Sequence, residues 1–116
     1  MKHLFILNDP PYGTERSFNG LRLALAMIRD PEHEVRVFLM GDAAACAKAG
    51  QHVPQGYYNL EHLLSGILKH RGQVAVCGTC MEARGLKDEE LIPGARHGTM
   101  DLLAEWTEWG EKVLVF

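Results

Sequence analysis

Residues 74–85 read VAVCGTCMEARG, and this stretch joins a short apolar segment to a helix-forming one. The apolar run at residues 73–77 favours a buried strand of a parallel sheet, because such strands carry apolar side chains on both faces. Thr79, followed three residues later by Glu82, fits a capping box with Thr79 as the helix N-cap. The stretch therefore predicts a strand that leads directly into a short helix, with Cys77 and Cys80 at the junction.

Strand and helix patterns alternate on both sides of this junction. Strands are predicted at residues 3–7, 34–40, 73–77, 95–97 and 112–116. Longer helices are predicted up to about residue 29 after a Thr14 cap, at 43–49, at 60–70 after Asn59 and up to 109 after Thr99. This alternation predicts an α/β fold, a three-layer α/β/α sandwich with a mostly parallel sheet of about five strands. Without a repeat or linker, one domain over residues 1–116 is expected.

Composition narrows the classes of function. The chain is 47% apolar and 23% charged with a net charge of −3, an ordinary globular balance. No basic patch indicates nucleic-acid binding. No apolar run approaches the roughly 18 residues of a membrane helix, and the apolar run near the start is too short for a signal peptide. We therefore expect a cytoplasmic protein that binds neither nucleic acid nor a membrane.

The predicted sheet places several segments at one edge. Ligands of open parallel sheets bind beyond the carboxyl ends of the strands, and those ends lead into residues 8–13, 41–42, 77–80 and 98–99. Turn formation also explains the Asn, Asp, Pro and Gly in these segments. The candidate ligand-binding or pocket-lining residues at this edge are Asn8, Tyr12, Gly13, Gly41, Gly78 and Thr79.

The cysteine pair is the strongest candidate for chemistry. A helix N-terminus offers free N–H groups and a partial positive charge, and both stabilise a thiolate, the nucleophilic form of cysteine. Gly78 allows a tight turn between the two cysteines. Cys77 and Cys80 are therefore the candidate catalytic residues. His97, at the end of a predicted strand, is a candidate proton donor or a surface histidine.

The residues alone leave several interpretations of the pair open. A structural zinc site usually needs two such pairs, and the chain has one, so no metal is expected. A structural disulfide is rare in the cytoplasm and suits three cysteines poorly. A dithiol–disulfide oxidoreductase fits C-x-x-C at a helix start, although the aromatic and proline residues of the thioredoxin motif are absent. A sulfur-carrying thiol and simple packing of small apolar residues also fit.

The segment VAVCGTCMEARGL, residues 74–86, resembles the cysteine motif of the DsrE/DsrF-like family, which includes the YchN-like and TusD-type sulfur-relay proteins. The resemblance covers nearly the whole chain. It extends to FILNDPPYGTERSFNGLRLALAM at residues 5–27, FLMGDAAACA at 38–47 and GTMDLLAEWTEWGEKVLVF at 98–116.

The resemblance implies a compact α/β fold, a homotrimer or homohexamer, and a cysteine that carries a persulfide. Members with one cysteine in this segment have it eight positions before the glycine of the Arg-Gly pair, which corresponds to Cys77 counted back from Gly85. Cys77 is thus the implied sulfur acceptor. Cys80 is additional, and it could resolve a persulfide as a disulfide, stabilise the thiolate or have no role.

The function implied is that of a small sulfur carrier or sulfurtransferase. Its partners would be sulfur donor and acceptor proteins or small thiols, and it would need no metal or organic cofactor. Two alternatives stay open, an oligomeric small-ligand-binding module without catalysis and a C-x-x-C dithiol–disulfide oxidoreductase.

Overall fold

The computed structural model describes residues 1–116, and its strands form one five-stranded sheet. The strands are β1 (Lys2–Leu7), β2 (Glu34–Leu39), β3 (Gln73–Cys77), β4 (Ala95–Gly98) and β5 (Lys112–Val115). Their order across the sheet is β4-β3-β2-β1-β5, and every neighbouring pair is parallel. The predicted parallel sheet of about five strands is confirmed.

Helices cover both faces of the sheet, as expected for a three-layer sandwich. They are α1 (Arg16–Ile28), α2 (Leu60–Lys69), α3 (Gly78–Ala83), α4 (Met100–Trp109) and two 3-10 helices, Gly41–Ala47 and Asp88–Glu90. The first three α-helices and the first 3-10 helix pack on one face, and α4 packs alone on the other. None of these helices has the length and apolar character that crossing a membrane requires.

Strand β1 shows how the sheet separates the two apolar layers. Phe5 and Leu7 belong to the larger cluster, which α1 and α2 cover. Leu4 points to the opposite face and packs in a smaller cluster with Trp106 of α4 and Phe38 of β2. Burying each such side chain contributes roughly 1.5–3 kcal/mol, so both layers fix the sheet and the positions of its strand ends.

Two of the predicted helix caps are confirmed. The side chain of Asn59 accepts a hydrogen bond from the backbone N–H of His62 at the start of α2. The side chain of Thr99 accepts one from the N–H of Leu102 at the start of α4. Each satisfies an N–H group that the first helical turn leaves unpaired.

Two other predicted caps are wrong. Helix α1 begins at Arg16 rather than directly after Thr14, because the Thr14 hydroxyl donates to the carboxylate of Asp9 at 3.0 Å instead of capping the helix. Thr79 lies inside α3, because Cys77 takes the N-cap position through its sulfur. A sulfur acceptor at the cap moved the helix start two residues towards the strand.

The alanine-rich segment forms a 3-10 helix, Gly41–Ala47, where an ordinary helix at residues 43–49 was predicted. Lys48, directly after it, pairs in an antiparallel bridge with Leu91. The Ala47 carbonyl also accepts from the N–H of Ile92 at 2.9 Å. These pairings draw the chain into an extended conformation, so the helix ends early.

Candidate functional site

The carboxyl ends of the strands meet at one edge of the sheet. Leu7 lies opposite Leu39 across β1 and β2, and Cys77 lies opposite Gly98 across β3 and β4. Because all the strands are parallel, the segments that follow β1 to β4 leave the sheet at this same edge. The expectation that these segments share one edge is therefore confirmed, and the cysteine motif is among them.

Cys77 is both the last residue of β3 and the N-cap of α3. Its Sγ accepts a hydrogen bond from the backbone N–H of Cys80 at 3.3 Å, and the Thr79 hydroxyl lies 3.4 Å from the same sulfur. In the reduced protein these groups stabilise negative charge on the sulfur of Cys77, because N–H groups at a helix start favour an anion.

Cys77 and Cys80 form a disulfide in the structure. Their Cα atoms are 5.2 Å apart, inside the usual range of about 4.4 to 6.8 Å. A bond between residues three positions apart closes a very small loop, so it removes little entropy from the unfolded chain. The pair therefore has a dithiol and a disulfide state, and the bond adds little to the stability of the fold.

Cys46 is separate from this pair. Its side chain is fully buried under the first 3-10 helix, with Sγ 3.8 Å from the carbonyl oxygen of Asp9. Burial raises the pKa of Cys46 to about 12. The thiol thus stays protonated near neutral pH and is a poor nucleophile, which restricts thiol chemistry to Cys77 and Cys80.

A cavity of about 190 Å³ opens beside Cys77. Its wall consists of Phe38 and Met40 from the end of β2, residues 77–79 of the motif, and residues 97–100. Cys80 is not part of this wall, and instead packs between the two apolar clusters. Cys77 is thus the cysteine that a molecule in the cavity can reach.

His97 stands between this cavity and a wider cleft of about 450 Å³. Its Nδ1 lies 2.9 Å from Oδ1 of Asp88, a residue of the second 3-10 helix. Its Nε2 faces Gly78, where an added Cβ would lie only 2.0 Å from that nitrogen. The ring is therefore held by a carboxylate on one side and by the strand–helix junction on the other.

Arg84 stabilises the position of α3. Its Nε and Nη2 donate to Oδ1 of Asp42 at 3.0 and 2.9 Å, and its Nη1 donates to the carbonyl oxygen of Cys80 at 3.1 Å. Both side chains are largely exposed, so the ion pair contributes at most about 1 kcal/mol. Because Asp42 neutralises it, the guanidinium adds no free positive charge beside the cysteines.

The predicted site residues divide into two groups. Gly78 and Thr79 line the cavity with Cys77. Asn8 and Gly41 lie at the same sheet edge but line neither the cavity nor the wider cleft. The side-chain amide of Asn8 donates to the carbonyl oxygen of Phe116 at 3.2 Å, which ties the end of β1 to the C-terminus.

Tyr12 and Gly13 also lie away from the cavity. The Tyr12 hydroxyl donates to Oε1 of Gln51 at 2.6 Å and accepts from the backbone N–H of Leu60 at 3.3 Å. It joins the loop before α1 to the loop before α2. Gly13 has a φ of 104°, a left-handed conformation in the turn that follows.

Sequence reasoning missed Asp88 and the apolar wall of the cavity. Nothing in the sequence connects Asp88 with His97, since the contact depends on the path of the second 3-10 helix. Met40 and Met100 had a usable signal, because each lies next to a segment expected at the carboxyl edge of the sheet.

Comparison with known proteins gives consistent matches over the whole chain. The model of the DsrE/DsrF-like family matches residues 1–116. The protein YchN of Escherichia coli K12 is 38% identical over 116 residues, which are 99% of this chain and 98% of YchN. The uncharacterized protein MJ0989 of Methanocaldococcus jannaschii is 37% identical and covers 100% of both chains.

The solved structures agree with these sequence matches. The crystal structure of the ychN protein from E. coli superposes with a TM-score of 0.91 at 37% identity, covering 100% of both chains. A protein of unknown function, MTH1491 from Methanobacterium thermoautotrophicum, has a TM-score of 0.70 at 11% identity and covers 96% of both chains. The second match shows a shared fold only.

Proposed function

Because the chain belongs to the DsrE/DsrF-like family, which is associated with sulfur relay, we propose that it is a small sulfur carrier. In this proposal Cys77 holds a persulfide and passes the outer sulfur to a partner thiol. One observation carries it most directly. The sulfur of Cys77 lies in the wall of a cavity and at the N-cap of α3, where the N–H of Cys80 donates to it.

The transfer needs no oxidant and no cofactor. In the dithiol form, the Cys77 thiolate attacks the outer sulfur of a donor persulfide, R–S–SH. A new sulfur–sulfur bond forms to Cys77, the bond between the two donor sulfurs breaks, and its electron pair leaves with R–S⁻. An acceptor thiolate then attacks the outer sulfur of the Cys77 persulfide in the same way, and the Cys77 thiolate is the leaving group.

Cys80 has a defined place in this scheme. Its thiolate can attack the inner sulfur of the Cys77 persulfide, which expels hydrosulfide and forms the Cys77–Cys80 disulfide. The disulfide in the structure corresponds to the product of that step. Cys80 would thus limit the lifetime of the persulfide, and its loss should lengthen that lifetime.

Intact mass spectrometry of the reduced protein with a small persulfide donor tests the proposal. The expected product is heavier by about 32 Da, returns to the starting mass with dithiothreitol and is absent in Cys77→Ser. Cys80→Ser should still gain the sulfur. Cys46→Ser is the matched control, because Cys46 is buried and should leave the result unchanged.

A dithiol–disulfide oxidoreductase is the second candidate function, and the Cys77–Cys80 disulfide favours it. It predicts a different result in the same experiment. Wild-type protein would lose about 2 Da by closing the disulfide and gain no sulfur. Activity would then require both cysteines, so Cys77→Ser and Cys80→Ser would be equally inactive.

We also propose that the carrier works as a homotrimer or homohexamer that meets donor and acceptor proteins or small thiols. Apolar side chains on the α4 side of the sheet support self-association. Val113 and Val115 of β5 lie opposite Leu4 and Ile6, on the side that α4 covers only in part. Val115 is 64% exposed and Met100, beside the cavity, is 66% exposed, which suits a contact with a second copy.

A further inference from the structure

We propose that His97, held by Asp88, exchanges the proton that a sulfur atom must gain or lose in the Cys77 cavity. This role rests on the proposed sulfur-carrier function and adds an acid–base group to it. The two residues come from different elements, His97 from β4 and Asp88 from the second 3-10 helix.

The hydrogen bond to Asp88 fixes the state of the ring. A carboxylate only accepts hydrogen bonds, so Nδ1 of His97 must donate to Oδ1 of Asp88 across 2.9 Å. In the neutral ring the lone pair is therefore on Nε2. A fixed tautomer with its basic nitrogen turned away from the carboxylate is the arrangement that proton transfer requires.

Gly78 allows this nitrogen to lie against the cysteine motif. A Cβ at position 78 would be 2.0 Å from Nε2 and 2.5 Å from Cε1 of His97. Real atoms do not approach so closely, so any other residue at this position would move the ring. The absence of a side chain between Cys77 and Thr79 is what places the imidazole next to the motif.

His97 is the one acid–base group besides Cys77 in the wall of the cavity. Phe38, Met40, Met100 and the two glycines there have no side-chain group that transfers protons. Thr99 uses its hydroxyl oxygen to cap α4. The remaining polar group, the Thr79 hydroxyl, is too weak an acid or base near neutral pH. A proton released or taken up in this cavity therefore has one partner among the side chains.

The proposed step is balanced in atoms and electrons. Nε2 of His97 takes the thiol proton of Cys77, and the thiolate attacks the outer sulfur of R–S–SH. The bond between the donor sulfurs breaks, and its electron pair leaves with R–S⁻, which takes the proton back from Nε2. The net reaction converts Cys77–SH and R–S–SH into Cys77–S–SH and R–SH, with His97 unchanged.

The first test is the rate at which reduced protein gains sulfur from a small persulfide donor at neutral pH. His97→Gln and Asp88→Asn should each slow the gain by about 10- to 100-fold, the lower part of the usual range for general acid–base catalysis. His62→Gln is the matched control, because His62 is an exposed histidine on α2. Equal rates for wild type and His97→Gln would overturn the proposal.

A rescue experiment separates proton transfer from structure. His97→Ala removes the ring from a half-exposed position, so imidazole added to the solution can enter and restore the rate. Restoration towards the wild-type rate supports the proposal. A loss that imidazole does not restore would assign His97 a structural role and overturn it.

A second reaction keeps this result distinct from the proposed function. Reduced wild type and His97→Gln would be mixed with cystamine, a small aliphatic disulfide, and the mixed disulfide at Cys77 followed over time. If wild type gains no sulfur from a persulfide, the carrier function fails. A slower reaction of His97→Gln with cystamine would still support the proton-transfer role, and equal rates would overturn it.

Discussion

The backbone N–H of Cys80 donates to the sulfur of Cys77 across 3.3 Å, so the first turn of α3 is aimed at the last atom of β3. This contact arises because the helix starts directly after the strand, with Gly78 as its first residue. It places the only thiol that opens into the cavity in a position that favours negative charge. The proposed chemistry depends on this junction.

Labelling of the three cysteines should separate them by environment. In reduced native protein, iodoacetamide at neutral pH should modify Cys77 first and leave Cys46 unmodified, because burial raises the pKa of Cys46 to about 12 from an ordinary 9.0. In denaturant all three should react. Peptide mapping would show the order, and rapid labelling of Cys46 in the native protein would contradict the buried position.

Gly78→Ala should reduce sulfur transfer without removing either cysteine. The added methyl group would meet the ring of His97 and displace it from the cavity wall. We expect the rate of sulfur gain to fall to about that of His97→Gln, roughly 10-fold or more below wild type. Gly85→Ala, at a glycine of the same motif with open space around it, is the comparison for a general effect on folding. A wild-type rate in Gly78→Ala would mean that the ring position does not matter.

Trp106→Ala should strongly destabilise the fold. Trp106 is 3% exposed, and its ring meets that of Phe38 edge-on at 5.9 Å between the α4 layer and the sheet. Truncating a buried aromatic side chain costs about 3–5 kcal/mol in free energy of unfolding. Urea denaturation would measure this loss. Leu23→Ala, at an exposed position of α1, should change stability by no more than about 0.5 kcal/mol.

Val115→Asp should weaken self-association. The Val115 side chain is exposed on the α4 side of β5, and a carboxylate in an apolar subunit contact carries a large desolvation cost. Light scattering should show wild type as a trimer or hexamer and the variant as a smaller species. Glu111→Asp, just before β5, keeps the charge and serves as control. A monomeric wild type would contradict the proposed assembly.

The residue pattern predicted the parts of the fold that depend on local periodicity. Strand β3 lies at residues 73–77 as predicted, because a short apolar run is followed by a glycine that ends it. The caps at Asn59 and Thr99 were also predictable, since oxygen side chains at these positions accept from the next turn. The resemblance, which the family match confirms, placed the cysteine motif in the right context.

The parts of the site that sequence reasoning missed depend on contacts between distant elements or on sulfur. The cap rules consider oxygen acceptors, so Thr79 was chosen where the sulfur of Cys77 takes the position. The contact of Asp88 with His97 requires the second 3-10 helix to fold back beside β4. The pairing of Cys77 with Cys80 was disfavoured by composition, which describes stabilising disulfides better than redox-active pairs.

The most direct test of the central claim is to locate the sulfur that the reduced protein takes from a small persulfide donor. The product would be trapped with iodoacetamide, digested and sequenced by tandem mass spectrometry. The account predicts an added mass of about 32 Da on Cys77, retained in Cys80→Ser and lost in Cys77→Ser. Extra sulfur on Cys80, or a Cys77–Cys80 disulfide with no sulfur gained at any stage, would contradict it.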